Sequence, residues 1–216
     1  METKSQKKKD IRNQIVSAAK NYYSYLTNRV FLYVFGDEFI EVMYRIDDFL
    51  HLTGVETFLG AKSFYQLAKK SQLGESQFFF KPKHPYDVVK KKLPRLICLN
   101  SLTNQQVTIL QNMNAGQVSY KIGLTNCDFT VGMYEKCGFY SPQTLRVKDK
   151  AIENSEKSQK VDFIFSRQTS ERKYQICTFF DKEKLLPQNL KQMIEETLLI
   201  QLFGEEQESQ PQKETE

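Results

Sequence analysis

Tryptophan is absent from this 216-residue chain, histidine occurs only twice, and no pair of its four cysteines has C-x-x-C spacing. With so few imidazole and thiolate groups available, a zinc site is not expected, and we predict that the protein uses no metal and no cofactor. The cysteines are expected to be reduced, mostly buried thiols: Cys98, Cys127, Cys137 and Cys177.

Several motifs that define enzyme classes are also missing. The sequence contains no GxxxxGK(S/T), GxGxxG, HExxH or GxSxG, which argues against P-loop NTPases, dinucleotide-dependent enzymes, HExxH metalloproteases and α/β-hydrolases. The HxE element of zinc deaminases is missing too, because Leu52 and Thr53 follow His51.

No apolar run approaches the roughly 20 residues of a membrane helix. The first residues form no apolar signal segment, so we expect a cytoplasmic protein without a membrane partner.

The residues that are present suffice for an ordered core and leave a small excess of positive charge. Apolar residues make up 40% of the chain, aromatic residues 12%, and the net charge is +5. A cationic excess favours a polyanionic partner such as nucleic acid, although an ordinary solvated surface explains +5 equally well.

The apolar pattern predicts one α+β domain over residues 11–203, between a disordered basic head (1–10) and a disordered acidic tail (204–216). Alternating apolar residues predict strands, which begin with a hairpin over residues 30–46. Because short links join the later strands, we predict an antiparallel meander sheet with N-terminal and C-terminal helices packed on it. Helical periodicity is expected over residues 11–27, 57–71, 86–99 and 187–203, with a short helical turn over 49–54.

The first candidate for chemistry is His51, which follows directly after a predicted strand and lies between apolar residues. An imidazole is the usual proton carrier near neutral pH, and a strand end holds it rigidly. The alternative is a buried histidine whose ring nitrogens bind local carbonyl groups, which is the commoner situation for an isolated histidine.

The second candidate is a strand that begins near Pro142 and places Thr144, Arg146 and Lys148 on one face. Two cations beside a hydroxyl group suit a phosphate and a negatively charged transition state. The alternative is a solvated strand face. Weaker candidates for binding the substrate are Lys62, Lys121, Ser166 and Arg167, and His84 is expected to be exposed to solvent.

The order of these two segments resembles the phage and mobile-element branch of the barnase–EndoU–colicin–RelE-like nucleases. In members of this branch, a strand is followed by the motif F-x-H-L-x-G and then by Leu or Val, which corresponds here to residues 49–55. Later they carry the motif Y-x-P-x-S/T, which corresponds here to residues 140–144. The similarity runs from about Ile15 to Phe180. Two departures are the segment Val55-Glu56-Thr57, where many relatives have Leu and a basic helix, and Thr144, where Ser is common.

The resemblance implies a small α+β fold that cleaves RNA without a metal, through attack of the 2′-hydroxyl on the adjacent phosphate. In that mechanism His51 is the general base or acid, Arg146 with Lys148 or Lys62 binds the scissile phosphate, and Thr144 contacts a phosphate oxygen or orients His51. The expected substrate is single-stranded or loop RNA, with tRNA as one candidate, because RNA bases are readable where they are unstacked.

The alternative is a non-catalytic protein on a nuclease-like scaffold that binds nucleic acid or a host defence protein. A cognate inhibitor is a further candidate partner.

Overall fold

The computed structural model describes residues 3–116, 118–147 and 150–204. Within these residues, no helix is both long enough and apolar enough to span a membrane. The helices and strands follow in the order α1 (Lys4–Tyr25), β1 (Arg29–Phe35), β2 (Glu38–Met43), α2 (Phe49–Thr53), α3 (Ala61–Lys69), α4 (Tyr86–Ile97), β3 (Thr108–Asn114), β4 (Ser119–Thr125), β5 (Phe129–Lys136), β6 (Phe139–Val147), β7 (Lys157–Lys160), β8 (Phe163–Gln168), β9 (Ile176–Phe180), α5 (Gln188–Lys191) and α6 (Glu196–Phe203).

The nine strands form one sheet in the order β7-β3-β4-β5-β6-β2-β1-β8-β9. The predicted α+β class is confirmed, but the predicted purely antiparallel meander is wrong. Only β3 to β6 form a meander, while β2 and β6 run parallel and pair at a single point, Val42 with Tyr140. Alternation of apolar residues shows which face of a strand is buried but not which strand lies next to it, so this crossing is invisible in the sequence.

Strand β1 is buried on both faces and separates two apolar clusters. Its odd-numbered side chains from Phe31 to Phe35 pack with α1, α3 and α4 in the larger cluster. Its even-numbered side chains from Val30 to Val34 pack with α5 and α6 on the other face. Each fully buried side chain of this kind contributes about 1.5–3 kcal/mol. The central hairpin is therefore the part of the sheet that both helical layers share.

Helix α1 begins earlier than the apolar pattern indicates. Thr3 caps it: the Gln6 amide donates to Thr3 Oγ1 at 3.2 Å, and the Thr3 amide donates to Gln6 Oε1 at 2.7 Å. The ammonium group of Lys8 donates to two main-chain carbonyl oxygens at 2.8 and 2.9 Å. Lys4 and the residues up to Asp10 are thus helical, although the sequence places them in a disordered head.

The C-terminal helical segment is divided into α5 and α6 rather than continuous. Between them, the chain forms a parallel bridge from Ile194 to Tyr174, and the Tyr174 amide donates to the Met193 carbonyl at 2.8 Å. The expected acidic tail lies, from residue 205 onwards, outside the described residues.

The cysteines also differ from expectation. Cys98, Cys127 and Cys137 are exposed and Cys177 is half-buried, so the prediction of mostly buried thiols is wrong.

Candidate functional site

The F-x-H-L-x-G segment forms helix α2 and uses its two apolar residues as anchors. Phe49 and Leu52, three positions apart, are fully buried. The Phe49 ring meets the rings of Tyr22 and Tyr65 edge-on, with centroids 5.3 Å apart in both pairs. His51 lies on the exposed side of this short helix. The segment therefore fixes the backbone against the core and presents an imidazole to solvent.

The helix ends in a tight turn that brings the chain against Lys92. Thr53 Oγ1 donates to the Leu50 carbonyl at 2.7 Å and accepts from the Val55 amide at 3.2 Å. Gly54 follows with φ of 78°, in the left-handed region that glycine adopts at little cost. A side chain at this position would lie 3.4 Å from Lys92 Nζ. The glycine thus permits both the turn and the close approach.

We expect Gly54→Ala to lower the free energy of unfolding by about 1–2 kcal/mol, because an L-residue is strained at this φ, and by a further increment from crowding Lys92. Gly138→Ala is a matched control, since Gly138 has φ of 79° and nothing within 4 Å of an added methyl group. Urea unfolding of both variants separates the two effects. A Gly54→Ala variant as stable as the parent would contradict this account.

The Y-x-P-x-T segment marks the point where β6 leaves β2. Tyr140 makes the single pairing with Val42, and Ser141 Oγ donates to the Met43 carbonyl at 3.0 Å. The next residue is Pro142, which has no N–H to donate to a ladder. Within the described part of the chain, the rest of β6 pairs with β5 alone. One edge of the strand therefore carries no β-partner.

Helix α4 lies beside this unpaired edge, and a groove of about 310 Å³ separates the two elements. Thr144 and Arg146, both predicted from the sequence, meet here on β6. None of the described residues that line the groove is acidic. The polar and cationic side chains in its lining are His84, Lys91, Lys92, Thr144 and Arg146.

Lys92 is the most unusual group in this groove, because it is only 7% exposed although it carries a charge. Burial, together with the nearby positive charge of Arg146, lowers the pKa of Lys92 from 10.5 to about 8. No carboxylate of the described residues forms an ion pair with it. Lys92 is therefore a protonated amine at pH 7 that gives up its proton far more readily than an exposed lysine.

His84 is half-buried, which corrects the prediction that it is exposed. Its amide donates to the Lys81 carbonyl at 3.0 Å, and its buried Nδ1 has no hydrogen-bond partner among the described residues. Burial, and then the positive charges of Lys92, Lys81 and Lys83, lower the pKa of His84 below its usual 6.5. At neutral pH this imidazole is uncharged and faces a cationic groove.

Lys92 is not among the residues predicted from the sequence, although the sequence contains a signal for it. The buried stripe of α4 contains Val89, Leu93 and Leu96, and Lys92 stands on it at the helical spacings of three and four. A lysine in the apolar stripe of an amphipathic helix is a buried cation, and buried cations concentrate at functional sites. For His84 the sequence gives no such signal, because its burial depends on the tertiary position of the loop.

The other predicted residues lie outside this groove or beyond the described chain. His51 is not part of the groove lining, although α2 packs against both β6 and α4. Lys62 pairs with Asp47 at 3.9 Å on the surface. Lys121 pairs with Glu135 at 3.7 Å beside a separate depression. Lys148 lies outside the described residues.

Ser166 and Arg167 lie on β8, which β1 and β2 separate from β6. Ser166 is fully buried. Arg167 pairs with Glu41 at 3.5 Å and lies over the ring of Tyr174, with its guanidinium carbon 5.3 Å from the centroid. The structure does not bring these two residues to the groove on β6.

An α+β fold with a cationic groove along an unpaired strand edge defines a protein suited to binding a polyanion. The family model described as phage-Barnase-EndoU-ColicinE5/D-RelE like nuclease4 matches residues 14–183, and the chain belongs to this family. The match includes both segments that carried the resemblance, which is thereby confirmed. The protein is thus a member of a nuclease family, whose substrate class is nucleic acid. Comparisons with curated proteins and with solved structures gave no match.

Proposed function

We propose that the protein is a metal-independent endoribonuclease that cleaves RNA through attack of a 2′-hydroxyl group on the adjacent phosphate. The observation that supports this most is the groove in which Thr144 and Arg146 meet Lys92 and His84. Donors and cations fixed in place can stabilise the negative charge that develops on phosphate oxygens in the transition state. An Arg guanidinium suits this task because its planar fork binds two oxygens at once.

In this proposal, Arg146 binds the non-bridging oxygens of the scissile phosphate and Thr144 donates a hydrogen bond to one of them. His51 accepts the proton of the 2′-hydroxyl. Its helix is tied to the sheet, because Tyr134 on β5 donates to Asp48 at the start of α2 at 2.8 Å. A tether of this kind holds the imidazole on rigid structure.

Lys62 and Lys121 are proposed to contact phosphates that flank the cleaved bond. Both side chains are more than 70% exposed, and their ammonium groups form ion pairs of 3.9 and 3.7 Å with surface carboxylates. Exposed pairs of this length contribute little free energy, so a phosphate can replace the carboxylate. We further propose single-stranded or loop RNA as the substrate and, in keeping with the family's name, a cytoplasmic protein of a phage or mobile element.

The proposal predicts that the purified protein cleaves RNA in excess EDTA and leaves 2′,3′-cyclic phosphate ends. An otherwise identical substrate with a single 2′-deoxy sugar at the cleaved position should stay intact, because it lacks the nucleophile. Gel electrophoresis and mass spectrometry of the products measure both results. Cleavage of the deoxy substrate, or activity only after Mg²⁺ is added, would show that another mechanism operates.

A second candidate is a non-catalytic binding protein, which an aromatic pair with one exposed ring favours. Phe58 is 86% exposed, and its ring centroid lies 4.9 Å from that of the half-buried Phe79. Rings presented in this way suit stacking on an unpaired base or contact with a partner protein. RNA that is bound but never cleaved by the parent protein would select this candidate over the nuclease.

A further inference from the structure

We propose that Lys92 is the general acid of the reaction and donates its proton to the 5′-oxygen that leaves the scissile phosphate. This inference rests on the proposed function. In the step, the 2′-oxygen forms a bond to phosphorus and the bond from phosphorus to the 5′-oxygen breaks. The proton of the 2′-hydroxyl goes to His51, and a proton from Lys92 goes to the leaving oxygen. Exchange with water then restores both groups.

The position of Lys92 places it with the groups proposed to bind the scissile phosphate. It projects from α4 into the same groove as Thr144 and Arg146 on β6. The space beside Gly54, the residue that ends the His51 helix, is filled by the Lys92 side chain, whose Cδ and Nζ would both lie 3.4 Å from an added methyl group. The proposed acid therefore lies against the turn that follows the proposed base.

Among the described residues, no counterion explains why Lys92 is buried. Within the described ranges, no carboxylate pairs with it, and the charge that acts on its pKa is that of another cation, Arg146. Taking a cation out of water without a partner costs free energy. A buried, unpaired cation is therefore a candidate for a functional site that binds an anion. A phosphodiester in the groove supplies that anion.

The acidity of Lys92 suits proton donation. With a pKa of about 8, the amine is mostly protonated at pH 7 and is still a much stronger acid than an ordinary lysine. General acids work best when their pKa lies near the working pH. Arg146 lies in the same groove and supplies the planar guanidinium that binds phosphate oxygens, which leaves the role of proton donor to Lys92.

The test compares two RNA substrates that differ only in the leaving atom. One has the natural 5′-oxygen at the cleaved bond, and the other has sulfur in its place, which leaves as a thiolate without needing a proton. Lys92→Met should lose about 10²-fold in single-turnover rate on the oxygen substrate and cleave the sulfur substrate at nearly the parent rate. Lys92→Arg should behave in the same way, because it keeps the charge but cannot donate. Lys90→Met, an exposed position on α4, should match the parent on both.

Each outcome either supports the assignment or overturns it. An equal loss on both substrates would show that Lys92 only binds the phosphate, and no loss on either would remove it from the mechanism. In both cases the parent still produces 2′,3′-cyclic ends, so the proposed function survives. If the folded parent, checked by circular dichroism, cleaves neither substrate in EDTA, the proposed function and the role of Lys92 are both wrong.

Discussion

Replacing His51 by alanine should lower the rate of RNA cleavage by about 10²–10⁴-fold, which is the typical contribution of a general acid or base. His51 carries the only imidazole on α2 and lies on the side of this helix that faces solvent, and an imidazole is the usual proton carrier in general acid–base catalysis. Without it, water must accept the proton of the 2′-hydroxyl, and water is a far weaker base. Single-turnover cleavage of one defined RNA measures the loss.

The fold of the His51→Ala variant should be unchanged, since the residue is exposed and Phe49 and Leu52 anchor the helix. We expect the free energy of unfolding to change by no more than about 0.5 kcal/mol. Asn189→Ala, an exposed substitution on α5, serves as the activity control. A His51→Ala variant that cleaves at the parent rate would remove His51 from the mechanism.

Local parts of this site follow from the sequence because short-range rules govern them. The short helical turn predicted over residues 49–54 is present as α2. In the structure, Phe49 and Leu52 form its buried face and Gly54 ends it with φ of 78°. Period-two alternation likewise places Thr144 and Arg146 on one strand, and β6 carries them into the groove. These inferences need only the geometry of one element at a time.

The groove itself does not follow from the sequence, because it depends on how distant elements meet. It exists because β2 pairs with β6 only at Val42 and Tyr140, which leaves an open edge for α4 to approach. No local pattern specifies this parallel contact. The buried position of His84 depends on the same arrangement.

The predictions for Ser166 and Arg167 meet the same limit, because the surroundings of these two residues also depend on how distant elements meet. A strand end rich in polar residues resembles a binding edge, and the sequence alone gives no sign of Glu41 as a partner. In the structure, Arg167 is held by Glu41 and by the Glu171 carbonyl, at 3.5 and 2.6 Å. A guanidinium with these partners links β8 to β2 across β1 and is not available to bind a phosphate.

Lys92→Met should make the protein more stable at neutral pH, in contrast to most substitutions of buried residues. The pKa of Lys92 is about 8 in the folded protein and near 10.5 when the chain is unfolded. Between these values the unfolded chain binds more protons, so stability rises with pH across this window. Below pH 8 the penalty for burying the charge is present in full, and above 10.5 it has vanished. The gap between the two values corresponds to about 3 kcal/mol as an upper limit.

We therefore expect Lys92→Met to raise the free energy of unfolding at pH 7 by about 1–3 kcal/mol. Methionine keeps most of the apolar stem and removes the buried charge. Urea unfolding at pH 7 and again near pH 10 measures the gain, which should shrink at the higher pH as the parent lysine loses its proton. Lys90→Met should show no gain at either pH, because this residue is exposed.

A Lys92→Met variant that is less stable than the parent at pH 7 would show that the ammonium group already has a stabilising partner. A variant that is more stable but slower would instead identify Lys92 as a group whose burial benefits the reaction and not the fold.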